Sequence, residues 1–267
     1  MTELDAATTG QVTASAAETY ETFFVPALFD QWPEPVLDIA GLSAGDDVLD
    51  IGCGTGVLAR AAARQLGDSG SVTGIDINDG MLAVARQATE RVTWQHGPAE
   101  RLPYPDRSFD RVVSQFALMF FADQMASIEE MARVTRPGGT ITVATWASVD
   151  QSPGYAAMVD LLQRIVGTEA AAALMAPFTL GTEEQLHEVI DNTLPNATIT
   201  CHPGRARFDS LEAWIHTDVR GWTLADMISD DQHNQLLAAA KTELAHFVGN
   251  NGEVSFAAPA LIVSARP

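Results

Sequence analysis

Asp50, the glycines Gly52, Gly54 and Gly56, and Asp76 are the residues whose types and spacing promise chemistry. The glycines stand at every second position directly after the short apolar run Val48-Leu49-Asp50-Ile51, and a helical pattern begins at once with Val57-Leu58-Ala59-Arg60. Glycine lets a backbone turn sharply and lets a ligand touch the main chain, because no Cβ stands between them. The first N–H groups of the following helix point back at such a loop. Asp76 falls 20 positions after Gly56, at the end of the β-branched run Ser71-Val72-Thr73-Gly74-Ile75. An acid at that point of a βαβ unit accepts hydrogen bonds from ribose hydroxyls.

The same loop argues against the common phosphate sites. A dinucleotide fingerprint puts its third glycine at position 57, which is Val57, and a phosphate-binding P-loop needs Gly-Lys-Ser/Thr. The single lysine, Lys241, has Leu237 four positions before it, so the Tyr-x-x-x-Lys pair of short-chain dehydrogenases is absent too. Asp50 at the loop mouth repels a pyrophosphate but suits an ammonium or a ribose hydroxyl. A cationic nucleoside without phosphate fits better than NAD or ATP.

The positioning elements follow from periodicity. Strands are expected at Val48–Ile51, Ser71–Ile77, Val92–His96, Phe109–Phe116 and Gly139–Trp146, the last following a turn at Arg136-Pro137-Gly138-Gly139. Residues 14–41 are helical in period, with Tyr20, Phe23, Phe24, Phe29 and Trp32 forming an apolar face. Ser152–Ala176 reads as one or two helices, and Thr182 with Gln185 three residues on is a capping-box start. A sixth strand is expected at Ala197–His202, helices at Leu211–Arg220 and Asp231–Phe247, and the last strand at Glu253–Phe256 and Ala260–Ala265.

Four stretches now resemble the class I S-adenosylmethionine (SAM)-dependent methyltransferases, and among them the broad group that includes the ubiquinone/menaquinone-biosynthesis enzymes. They are DVLDIGCGTG (Asp47 to Gly56), GIDIN (Gly74 to Asn78), GPAERLPYPDRSFD (Gly97 to Asp110) and RVTRPGGTI (Arg133 to Ile141). They keep the family's order and cover roughly residues 40–147. The resemblance implies an α/β fold: a seven-stranded Rossmann-like methyltransferase sheet with the last strand antiparallel, plus helical cap insertions. It implies N-terminal helices over 1–45, a SAM-binding α/β core over 46–150 and a helical insertion over 151–180. Residues 181–267 would complete the core, with a helical cap at about 208–250.

The resemblance also implies roles. Asp50 and the loop Gly52, Cys53, Gly54 and Gly56 would hold the methionine part of SAM, Cys53 through its backbone more than its thiol. Asp76 would bind the ribose hydroxyls, Ile77 and Met81 would pack on the adenine, and Ala99 would offer its N–H to an adenine ring nitrogen. Pro98 stands where the family often has an Asp for the adenine amino group, so Glu100 or a water would replace that contact. Gln115 and Phe116 would lie against the methionine and face the substrate, and Tyr20 would reach the methionine carboxylate or the substrate. Asp110 and His96 read as structural. The implied activity is SAM-dependent methyl transfer, leaving S-adenosylhomocysteine, with no metal. A non-catalytic SAM-binding regulator is the alternative.

The acceptor is constrained less. Phe116, Met119, Phe120, Trp146, Tyr155, Trp214 and Trp222 are expected near the active face and would suit a small apolar or aromatic molecule, although core packing explains the same residues. His216, His202, Tyr155 and Tyr20 are the candidates for a general base. Two cysteines, an acidic N-terminus unlike a signal peptide, and no apolar run near the roughly 18 residues of a membrane span point to a reducing cytoplasm.

The 267 residues carry 35 acids against 15 Lys and Arg, a formal net charge of −20. Such a surface repels nucleic acid, whose binding rests on basic residues at phosphates. It also repels itself, and salt screens exposed charges beyond about 10 Å at 0.1 M. The melting temperature is therefore expected to rise between low salt and about 1 M; a flat or falling value would remove self-repulsion as a destabilising force.

Overall fold

The computed structural model describes residues 14–220, 224 and 227–267. Its centre is a seven-stranded sheet ordered β3-β2-β1-β4-β5-β9-β6. The parallel strands β1 (Asp47–Ile51), β2 (Ser71–Asp76), β3 (Thr93–His96), β4 (Phe109–Gln115) and β5 (Thr135–Trp146) come first in the chain. β6 (Thr198–His202) and β9 (Ala260–Ala265) complete it, β9 running antiparallel between β5 and β6. Buried apolar runs such as Val48-Leu49 and Ile141 to Ala144 suit central strands covered on both faces.

Helices α1 (Ala14–Thr19) and α2 (Pro33–Ala40) precede β1. α3 (Val57–Leu66), α4 (Asp79–Ala88) and α5 (Gln124–Val134) connect the parallel strands. Beyond β5 come α6 (Pro153–Ile165), α7 (Thr168–Met175) and α8 (Glu183–Ile190), the last started by the Thr182–Gln185 capping box. α9 (Leu211–Arg220) and α10 (Asp230–Glu243) follow β7 (Arg205–Phe208). α10 has its own capping box, Ser229 with Gln232, which the sequence reading missed.

Three expectations are corrected. The Glu253–Phe256 stretch does not belong to the last strand of the main sheet. It is β8 (Val254–Ala257), which pairs with β7 in a separate two-stranded sheet. The Arg136–Gly139 turn is absorbed into β5 as an irregularity that breaks the register with β4 between Phe109 and Arg111. Finally, residues 20–29 wind as a π-helix containing Pro26, which has no N–H to give to an α-helical ladder. The wider turn buries Phe24 and Phe29 but leaves Phe23 49% exposed, off the face assigned to it.

Ion pairs fix the sheet at the amino ends of its strands. Arg136 Nη1 lies 2.9 Å from Asp47 Oδ2 and 2.6 Å from Asp110 Oδ2, and Asp110 also accepts from the Asp47 N–H. Asp110 is thus structural, as read. Arg133 clamps the loop after β3 through Glu130, Asp106 and the carbonyls of Leu102 and Tyr104.

α6, α9 and the β7–β8 pair share an aromatic core of Tyr155, Phe178, Phe208, Trp214, Phe247 and Phe256. Buried Asp218 lies within it and accepts from Trp214 Nε1 at 2.7 Å, and burial pushes its pKa up to about 7 despite hydrogen bonds from Trp214 and Tyr155.

Under the loop after β1, the Trp94 ring of β3 occupies the space a side chain at position 56 would need. A Cβ on Gly56 would lie 2.3 Å from Trp94 Cη2, and Gly56 has φ +87°. Gly56→Ala is expected to cost roughly 1–3 kcal/mol in overpacking and to lower the melting temperature; an unchanged melt would show that Trp94 swings aside freely.

Candidate functional site

A cavity of about 390 Å³ opens at the carboxyl ends of β1, β2 and β4. This is where open parallel sheets bind ligands. Its floor is the loop from Gly52, drawn against β2 by hydrogen bonds from the Gly52 and Cys53 N–H groups to the Ile75 carbonyl, at 2.8 and 3.1 Å. Gly54 has φ +54°, and a Cβ there would meet nothing within 4 Å. Its missing side chain leaves the cavity itself open, unlike that of Gly56, which accommodates Trp94. Of the twelve residues assigned from the sequence, Gly56 alone is absent from the lining.

The two acids hold the loop in place. Asp50 is 1% exposed and its Oδ2 accepts from the Ala59 N–H at 3.0 Å, in the first turn of α3. Asp76 bridges the loop to the next helix: Oδ2 accepts from Gly54 N–H and Oδ1 from Asn78 N–H, both at 2.8 Å. Asn78 in turn caps α4 through the Met81 N–H. Burial pushes the Asp50 pKa up to about 7, against the Ala59 hydrogen bond and helped by the charge of Asp76. Burial also raises Asp76, opposed by its backbone donors. Each carboxylate oxygen retains acceptor capacity for a second donor.

Ile77, 51% exposed, lines the cavity with Met81, Pro98 and Ala99 at its β2–β3 side. His96 is structural, as read, its Nε2 3.0 Å from the Ile77 carbonyl. Glu100 reaches the lining too, but its Oε1 accepts from the Ala122 and Asp123 N–H groups at 2.8 and 3.2 Å. It ties down the start of α5, a duty that sequence spacing did not reveal. The Cys53 thiol is buried, and that burial raises its pKa well above the ordinary value.

The other end is aromatic. Phe116 adopts φ +56°, a strained conformation for a bulky residue, and stacks on Trp146 with centroids 4.0 Å apart. Phe29 packs on both rings, and Gln115 Nε2 donates to the Phe29 carbonyl at 3.4 Å. Tyr20 hangs from the π-helix into the cavity, and Arg60 of α3 pairs with neighbouring Glu21 at 2.7 Å. Phe120 and Phe121 complete this end.

Several candidates go elsewhere. Met119 and Trp146 are buried outside the lining, and Tyr155 and Trp214 belong to the aromatic core beyond β5. Trp222 lies outside the described residues. His202 pairs with Thr200 Oγ1 at 2.9 Å and His216 is exposed on α9, so among the base candidates Tyr20 alone lines the cavity. The sequence reading also missed Thr55, buried in the loop with a hydroxyl that has no hydrogen-bond partner in the structure.

Residues 49–143 match a family model described as a methyltransferase domain. By that match the chain is similar to methyltransferases over this segment. Over 113 residues it is 39% identical to demethylmenaquinone methyltransferase of Staphylococcus aureus, covering 41% of this chain. The chain thus spans about half (47%) of the length of that relative. In fold, the methyltransferase domain and its surroundings are similar to the YcgJ protein of Bacillus subtilis, with TM-score 0.58 and 20% identity over 88% of this chain and 97% of that one. They are also similar to phosphoethanolamine N-methyltransferase 2 of Haemonchus contortus in complex with SAM, with TM-score 0.62 and 20% identity over 100% of this chain and 60% of that one.

The raised pKa of Asp50 has a pH signature. Its ordinary value is 3.8 and its folded value about 7, so the folded state holds the proton more tightly. Its stabilising contribution is present below the lower value and is lost as pH climbs through the higher one. Asp50→Asn removes that loss, so its stability relative to the parent protein should improve between about pH 5 and pH 8 in urea titrations without ligand. A constant difference across that range would show that Asp50 is already ionised in the folded state.

Proposed function

We propose that this chain transfers a methyl group from SAM to a small apolar or aromatic acceptor. The observation that carries the reading is the Gly54 floor flanked by two carboxylates, the buried Asp50 and the half-buried Asp76, in a cavity whose described lining has no Lys or Arg. A phosphate-bearing nucleotide would be repelled there, whereas a cationic nucleoside amino acid is complementary.

The residues fit SAM in kind. Asp50 would face its ammonium, with Gly52, Cys53 and Gly54 along the methionine part and the unpartnered Thr55 hydroxyl as a further donor. Asp76 would accept from the ribose hydroxyls. The exposed Ile77 and the buried Met81 would pack on the adenine and Ala99 would offer its N–H, while Glu100, through the oxygen not taken by Ala122 and Asp123, or a water would meet the amino group. When bound, SAM supplies an electrophilic methyl group on a sulfonium.

The chain's own contribution is to hold acceptor and donor in line. Positioning of this kind supplies up to ~7–11 kcal/mol of a barrier. Gln115, held by the Phe29 carbonyl, and Phe116, locked against Trp146, would set the acceptor's approach. A regulator that only binds SAM would need the Asp50–Asp76 half of the cavity alone. The aromatic half beside it favours an enzyme. We read 46–150 as the cofactor-binding unit and 151–180 with about 208–250 as helical additions. The free thiols of Cys53 and Cys201 suit a reducing cytoplasm as the place of work.

Calorimetry with SAM, S-adenosylhomocysteine and NAD should give binding heat for the first two and none for NAD. Asp76→Ala should weaken SAM by roughly 1–3 kcal/mol, the cost of buried hydroxyls left unpaired. Parent-like affinity in that variant would sink the ribose assignment.

A further inference from the structure

We propose that SAM binding at this site is coupled to proton release: a proton held on the Asp50 carboxyl passes to solvent as the ammonium of SAM arrives. The inference rests on the methyltransferase reading and adds a regulation by pH to it.

Asp50 is placed where a carboxylate is hard to keep ionised. It is 1% exposed and takes a single hydrogen bond from the described residues, the Ala59 N–H on Oδ2 at 3.0 Å. Asp76 is better supplied, with the Gly54 N–H on one oxygen and the Asn78 N–H on the other. When two carboxylates share a site, one of them is held back from ionising. The two backbone donors secure the charge of Asp76, so the proton falls to Asp50. The pKa of Asp50, raised to about 7 by burial against the Ala59 bond and with help from the Asp76 charge, agrees with that placement.

No cation of the described lining relieves the pair. That lining holds no Lys or Arg, and Arg60 of α3 turns to Glu21 of the π-helix at 2.7 Å. Tyr20 of the π-helix is a neutral phenol, since burial and then the charges of Glu21, Asp76 and Asp50 drive its pKa far up. Burial likewise keeps Cys53 a thiol, and Arg86 of α4 acts on Cys53. His96 of β3 acts on Asp76. β4 brings Gln115 and Phe116, which do not titrate, and Glu100 is engaged at Ala122 and Asp123.

The ligand supplies the missing charge. An α-amino group is an ammonium up to about pH 8. Facing it, the Asp50 O–H bond breaks and its proton goes to water, and the carboxylate accepts hydrogen bonds from the ammonium. The ligand keeps its charge, and one proton per SAM enters solvent. Affinity therefore climbs with pH while Asp50 starts out protonated, and levels off once it starts out ionised.

The test is calorimetry of SAM on the parent protein at about pH 6, 7 and 7.5, in buffers of different ionisation heat, which counts the protons released. Close to one proton per SAM is expected at about pH 6, falling toward none at about pH 7.5. Affinity should rise by up to about tenfold per pH unit over the lower part of that range. 5′-Methylthioadenosine, which keeps the adenosine but lacks the amino acid, should release fewer protons. Asp50→Asn should bind SAM with no release and with an affinity that pH barely moves. SAM bound without release at the lowest pH would overturn the proposal and leave the methyltransferase reading standing. So would equal release with 5′-methylthioadenosine, or release that survives Asp50→Asn. The parent protein and the nucleoside decide the matter even where that variant does not fold. If SAM gives no binding at any pH, the methyltransferase reading falls first and takes this proposal with it.

Discussion

Two carboxylates at the ends of neighbouring strands hold this site together. Asp50 takes the Ala59 N–H in the first turn of α3, and Asp76 takes the N–H groups of Gly54 and Asn78. The glycine loop, the start of α3 and the start of α4 are therefore referred to two oxygen pairs. Holding unneutralised acid in a buried place is costly, which is why both groups resist ionising. The same cost is what a cationic ligand would relieve on binding, so the raised pKa values and the proposed preference of the site have one origin.

The aromatic end depends on a different constraint. Phe116 has a left-handed backbone, and its ring is held by Trp146, Trp32 and Phe29. Such a conformation persists where the surroundings over-determine it. Here the surroundings come from two distant parts of the chain: the π-helix with the residues just after it, and β5. Tyr20 reaches the cavity through the same π-helix, so one packing cluster sets both the wall and its polar edge.

Charge separates the two halves. Acids concentrate where the nucleoside and amino-acid parts are proposed to lie, while the other half is apolar and uncharged in its described lining. The net charge of −20 continues the theme over the whole chain. The additions beyond β5 pack around their own aromatic core and Asp218, and none of their described residues lines the cavity.

While the antiparallel last strand came from the family resemblance, the amino-acid sequence by itself determined the loop, the two acids and the strands that carry them. These depend on local spacing: period-two apolar runs, glycines where a ligand or ring approaches, an acid at a strand end. Eleven of the twelve residues that the family resemblance assigned line one cavity. Tertiary structure alone decided what depends on partners far along the chain. Gly56 and Gly54 look alike in sequence, yet Trp94 of β3 claims the space beside one and the cavity the space beside the other. Glu100 lines the cavity as assigned, and only the packed structure shows that it also accepts from the two N–H groups just before α5. Tyr155 and Trp214 had the composition of a pocket wall, and Phe23 that of a buried face. Burial of a ring is decided by which surfaces are available to cover it, and those surfaces exist only once the elements have packed.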